Sequence, residues 1–170
     1  LVSGNERLTF LQTYVAARKL AGAMVADHGI RPGDRIGIAM RNAPSWIALY
    51  MGVLMAGGVA VLLNGWWQGA ELAAGIEDVE CTLVLADVQR AQRLADHGGI
   101  GGVRLATFDI ALPIVDALAP LTSLGGGAAT ALPDVKGEDL ATILFTSGST
   151  GKSKGAFSTH RAVVQGTFNY

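Results

Sequence analysis

The segment DLATILFTSGSTGKSKGAFSTHR, residues 139–161, runs from a strand-like apolar stretch, Ala141 to Phe145, straight into Thr146-Ser147-Gly148-Ser149-Thr150-Gly151-Lys152-Ser153-Lys154-Gly155. The β-prone Ala156-Phe157-Ser158 follows, and a helical pattern opens near Arg161. A polyphosphate needs what this loop offers: glycines that let backbone N–H groups approach, hydroxyls that donate to phosphate oxygens, and lysines that supply compact positive charge. No carboxylate interrupts residues 146–155. The competing reading is a solvated Gly/Ser linker. Linkers rarely leave a buried strand directly and return into another strand and a helix, so the context favours an anion-binding loop.

Upstream, helices alternate with short apolar strands. Residues 11–28 carry helical apolar spacing, with Gly29 as a stop and Pro32-Gly33-Asp34 as a turn. Strand 35–40 would place Ile36, Ile38 and Met40 on one face, leaving Gly37 and Ala39 to admit a close neighbour on the other. Asn42 and Pro44 break the chain, and Ser45 is positioned to cap a helix reaching Ala56. Strand 59–63, a helix over 70–77, strand 81–86, a polar helix over 88–97 and strand 103–108 complete the series. Such alternation demands crossover connections, which predicts an α/β fold with a mainly parallel sheet and helices on both faces. The pattern divides the chain into an alternating region, 1–109, a Pro/Gly-rich connection, 110–138, and the strand, loop and helix of 139–170. Gly125-Gly126-Gly127 lies in no strand-to-helix context and reads as loop, not as a dinucleotide fingerprint.

With 170 residues, 50% of them apolar, and a net charge of −1, the chain can bury a sizeable core and presents no basic run suited to nucleic acid or an anionic membrane. Residues 46–63 carry no charge and are flanked by Trp46, Trp66 and Trp67, a pattern that hydropathy alone would read as a membrane span. Gly57-Gly58 divides that run, however, into a helical stripe (Trp46, Leu49, Tyr50, Val53) and a short β-prone segment. The single cysteine, Cys81, reads as a buried thiol and points to a reducing cytoplasm. No Cys/His spacing suggests a metal site. His28 and His97 read as solvated or end-capping residues. The chain opens on Leu1 and stops at Tyr170 within a helical pattern, so both ends look cut.

Gly151-Lys152-Ser153 also matches the end of a P-loop, with Thr146 where the leading glycine belongs. In a P-loop the helix would start at that triplet, whereas here a second Lys-Gly and the β-prone 156–158 follow. TSGSTGKSKG resembles instead the phosphate-binding motif of the AMP-binding, or adenylate-forming, enzymes: acyl-CoA synthetases, peptide-synthetase adenylation domains and luciferases. Leu8-Thr9-Phe10, Arg31-Pro32-Gly33-Asp34-Arg35 and LMAGGVAVLLN (54–64) agree in order and spacing, so the likeness spans nearly the whole chain. Ser153 and Leu62 stand where the family usually has proline, and neither change removes a phosphate contact. Asn64-Gly65-Trp66-Trp67 is similar to a variant seen in bacterial acyl-CoA ligases, although a tryptophan pair more often packs than lines a substrate site.

The resemblance implies an incomplete part of the family's large N-terminal domain. It implies formation of an acyl-adenylate from a carboxylic acid and ATP, with Mg²⁺ arriving on the nucleotide and CoA as the expected acceptor, as in fatty acid metabolism. Thr146, Ser147, Gly148, Ser149, Thr150, Gly151 and Lys154 would bind the phosphates; Lys152 occupies a variable position and is expected to be solvated. His160 belongs to a Thr-His-Arg run and is expected to cap or pack rather than act as a base. The adenine and acyl pockets, the ribose-binding aspartate and the catalytic lysine of the C-terminal domain lie later in the family. No complete catalytic set is therefore expected, the isolated chain should be inactive, and its bared apolar surface should make it self-associate. A non-catalytic interaction module is the remaining alternative.

Overall fold

The computed structural model describes residues 1–122, 130–146 and 153–169. A two-stranded hairpin, β1 (Val2–Ser3) and β2 (Glu6–Arg7), precedes helix α1 (Phe10–Ala26). Thr9 and Gln12 form a reciprocal capping box that satisfies donors at the start of α1. The alternating region is β3 (Arg35–Ala39), α2 (Pro44–Met55), β4 (Val59–Leu62), α3 (Gly69–Asp78), β5 (Leu83–Asp87), α4 (Val88–Asp96) and β6 (Arg104–Phe108). Two short helices, α5 (Ile114–Ala117) and α6 (Ala119–Thr122), come next, followed by β7 (Leu140–Thr146), β8 (Lys154–Thr159) and α7 (His160–Phe168).

The main sheet has the order β6-β5-β3-β4-β7-β8; every pairing is parallel except the antiparallel β7–β8. Ile36, Ile38 and Met40 share a core with α1 and α2, as their alternation predicts, while Ala39 joins the opposite core with α3 and α4. Gly37 allows the close packing expected of it: a Cβ there would lie 3.2 Å from Leu63 and 3.3 Å from Val84. Residues 46–63 divide at the glycine pair, with Gly57 at φ +78° and Gly58 so tightly placed that a Cβ would come within 2.7 Å of Ile36. Among the described residues no helix is long and apolar enough to cross a membrane.

One expectation needs correction. Ser45 does not cap α2: Ala43 is the N-cap, Pro44 takes the first helical position, where its fixed φ suits the turn, and Ser45 is buried one residue further on. Within residues 110–138, Ile114, Leu118 and Leu121 pack into the α1–α2 core and Ala117 is buried. Helices cover both faces, as predicted, and at the β7–β8 edge Leu144 is 53% and Phe157 70% exposed. The Gly125-Gly126-Gly127 segment lies outside the described residues.

Candidate functional site

In a parallel sheet all strands end on one edge, and loops leaving that edge converge. Here the carboxyl ends of β3, β4, β5 and β7 deliver, in turn, Arg41-Asn42, Asn64 to Trp67, Asp87 and the loop opening at Thr146. β7 holds its place by pairing with β4 on one side and β8 on the other, and by a 3.0 Å hydrogen bond between the Thr142 and Tyr50 hydroxyls. Tyr50 is itself stacked on Trp46, with ring centroids 5.5 Å apart.

Thr146 and Lys154 are register partners at the neck of the loop, and the Thr146 hydroxyl donates to the Lys154 carbonyl at 3.4 Å. Both side chains are exposed. Ser147, Gly148, Ser149, Thr150 and Gly151 of the predicted set lie outside the described residues, as does Lys152. The motif's last glycine, Gly155, has a packing role: a Cβ there would fall 2.9 Å from Ile143 and 3.4 Å from Val79, so only glycine lets β8 lie this close. Ser153 is irregular, Lys154–Thr159 is strand and the next helix starts at His160, an order that disfavours the P-loop alternative, whose helix would begin at Gly151-Lys152-Ser153.

At the far end of the β7–β8 hairpin, Asp139 accepts a hydrogen bond from the Lys136 N–H at 2.7 Å, and its carbonyl accepts one from the His160 N–H at 3.0 Å. His160 is the first residue of α7, behind Thr159 as N-cap, so it packs and does not cap. Its Nε2 is buried without a partner among the described residues. Burial holds its pKa below the ordinary histidine value, against an opposing pull from Asp139. His28 is likewise half-buried rather than solvated, its pKa lowered by burial and then by Arg104, while His97 is the C-cap of α4. Cys81 is buried, and desolvation pushes its thiol up to about 12, which makes it an inert packing group at neutral pH. Among the described residues, no three His, Cys, Asp or Glu side chains converge in a way that could hold a metal ion.

The tryptophan pair divides its labour. Trp67 packs edge-on against Phe145 of β7, with centroids 5.1 Å apart, whereas Trp66 is 68% exposed and carries the Arg41 guanidinium 4.0 Å above its ring. Beneath them sits a buried ion pair that sequence reasoning missed. Asp87 accepts from Arg90 Nη1 at 3.1 Å and from the Arg41 N–H at 2.9 Å, while Arg90 Nε donates to the Gly65 carbonyl at 2.7 Å. The available signal was an aspartate at a strand's end, three residues before an arginine in a helix.

The model of the AMP-binding enzyme family matches residues 1–170. Over 160 residues the chain is 29% identical to the medium/long-chain-fatty-acid–CoA ligase FadD6 of Mycobacterium tuberculosis, covering 92% of this chain and 26% of that ligase. It is 34% identical over 155 residues to the nonribosomal peptide synthetase inpB of Emericella nidulans, covering 90% of this chain and 6% of that protein. The crystal structure of ATP-bound MatB from Rhodopseudomonas palustris superposes with a TM-score of 0.82 at 28% identity, covering 96% of this chain and 32% of that one. The chain thus spans about a quarter of the fatty-acid ligase and a third of MatB. A mainly parallel sheet whose strand β7 leads into a glycine- and hydroxyl-rich sequence, matched end to end by the family's model, places this chain among the AMP-binding enzymes.

Proposed function

We propose that the chain is the N-terminal portion of an ATP-dependent carboxylate-activating ligase, and that Thr146, Ser147, Gly148, Ser149, Thr150, Gly151 and Lys154 bind the nucleotide's β- and γ-phosphates. The observation that carries this reading is the hairpin neck, where Thr146 and Lys154 face each other, exposed, at the carboxyl edge of the sheet. Backbone and hydroxyl donors held there, with one ammonium, suit the charge that builds up as pyrophosphate leaves. The acid's carboxylate oxygen bonds to the α-phosphorus while the bond from that phosphorus to the bridging oxygen breaks. The loop's part is to position and neutralise; it transfers no proton. Mg²⁺ enters with ATP as part of the substrate.

CoA is the acceptor that best fits Asn64-Gly65-Trp66-Trp67, and a fatty or similar acid in the cytoplasm is the corresponding setting. Phosphate contacts alone scarcely offset the translational freedom that a nucleotide loses on binding, so the 170 residues should not turn over by themselves. Exposed Leu144, Phe157 and Phe168 should drive self-association, seen as a mass above one chain in light scattering. ATP–pyrophosphate exchange tests the assignment. The chain alone should give no exchange above its Lys154→Ala variant, and in the full-length ligase that variant should lose roughly 100-fold in kcat/KM. Unchanged exchange in the full-length variant would remove Lys154 from the site.

A further inference from the structure

The carboxyl ends of β3 and β4 border a cleft of about 390 Å³, lined in part by Met40, Arg41, Asn42, Trp46, Asn64 and Trp66. This falls within the size range of small-ligand sites, at a sheet edge where such sites form. Arg41 is the one cation lining it, and no described carboxylate pairs with its guanidinium. The guanidinium carbon of exposed Arg41 lies over the Trp66 ring, 4.0 Å from its centroid.

Both walls are held from below. The Asp87–Arg90 pair, 2% and 1% exposed, grips the Arg41 N–H on one wall and the Gly65 carbonyl on the other. Arg93 Nη1 donates to the Trp67 carbonyl at 2.7 Å. Asn64 Oδ1 accepts from the Trp66 backbone N–H at 3.0 Å, which leaves the Asn64 amide nitrogen to donate. A side chain at position 65 would press on Arg41, since a Cβ there lies 3.3 Å from Arg41 Cδ.

We propose that this cleft binds a small carboxylate bearing a hydroxyl or carbonyl substituent: Arg41 takes the carboxylate edge-on through two N–H groups, and the Asn42 and Asn64 amides take the substituent. A lone guanidinium, whose N–H groups form a fork, favours a planar monoanion over a polyphosphate, which requires several cations. The site is independent of the phosphate-loop reading.

NMR titration of the protein with sodium lactate, following the Trp66 indole N–H and the Arg41 Nε–H, tests it. Saturable shifts are expected, with lactate binding more tightly than propionate. Arg41→Gln should weaken lactate binding about tenfold or more, and Arg41→Lys, which keeps the charge without the fork, several-fold. Lys154→Ala, which disables only the phosphate loop, should leave the lactate shifts unchanged, so the two readings fail separately. Absence of saturation, equal affinity in Arg41→Gln, or tighter binding of inorganic phosphate than of either carboxylate would overturn the assignment.

Discussion

Replacing Arg90 with methionine keeps most of the stem and deletes the charge, which isolates what the buried pair contributes. In the native chain Arg90 Nη1 lies 3.3 and 3.1 Å from the two Asp87 oxygens, and its Nε and Nη2 reach the Gly65 carbonyl at 2.7 and 2.5 Å. Breaking a buried pair from one side costs about 3–5 kcal/mol, because the surviving charge stays desolvated. Asp87 would still accept two backbone N–H groups, from Arg41 and Arg90, each at 2.9 Å, so the lower end applies. The Gly65 carbonyl would lose its guanidinium donors from Arg90 as well. We therefore expect a loss of about 3 kcal/mol. With a urea m-value near 2 kcal/mol/M, the midpoint should fall by about 1.5 M with m unchanged. Asp87→Asn, which keeps a capping oxygen but removes the charge, completes a double-mutant cycle whose coupling should exceed about 1 kcal/mol. A loss under about 1 kcal/mol in Arg90→Met, or simple additivity of the two changes, would refute the reasoning.

Gly155→Val should cost about 1–3 kcal/mol by forcing a branched Cβ onto Ile143, and hydrogen exchange of the β7–β8 amides should accelerate more than that of β3–β5; Gly155→Ala should be milder. Trp67→Ala should destabilise by roughly 2–3 kcal/mol, measured by urea unfolding, whereas Trp66→Ala should cost no more than about 1 kcal/mol, the worth of an exposed cation–π contact. His28 and His160 both have folded-state pKa values below their ordinary value of 6.5, so their contribution to stability is present above that pH. It is lost as pH falls through the lowered values, and converting both residues to glutamine should flatten that acid limb of the stability profile.

What could be read from sequence alone follows from local physics. Alternation with period two placed Ile36, Ile38 and Met40 on one face, and a pair of glycines divided residues 46–63 into helix and strand. Side-chain spacing carries such information without reference to distant residues. The capping box at Thr9 and Gln12 and the buried stripe Ile114, Ala117, Leu118 and Leu121 were also written locally, but proline and glycine nearby masked the second.

Strand order, by contrast, is non-local. Nothing in the run of residues says that β5 returns to pair with β3 while β7 takes the far side of β4, yet that choice brings Arg41, Trp66, Asp87 and Thr146 to one edge. The ion pair joining Asp87 and Arg90 to Gly65 spans 25 positions, and its strength comes from exclusion of water, which only the assembled layers produce. Likewise Gly155 reads as a loop glycine until β8 lies against Ile143, when the missing side chain becomes a packing requirement. The chemistry of the loop is local because phosphate recognition needs only a short run of donors and charge, whereas the place where that loop is held depends on contacts between segments far apart in the chain.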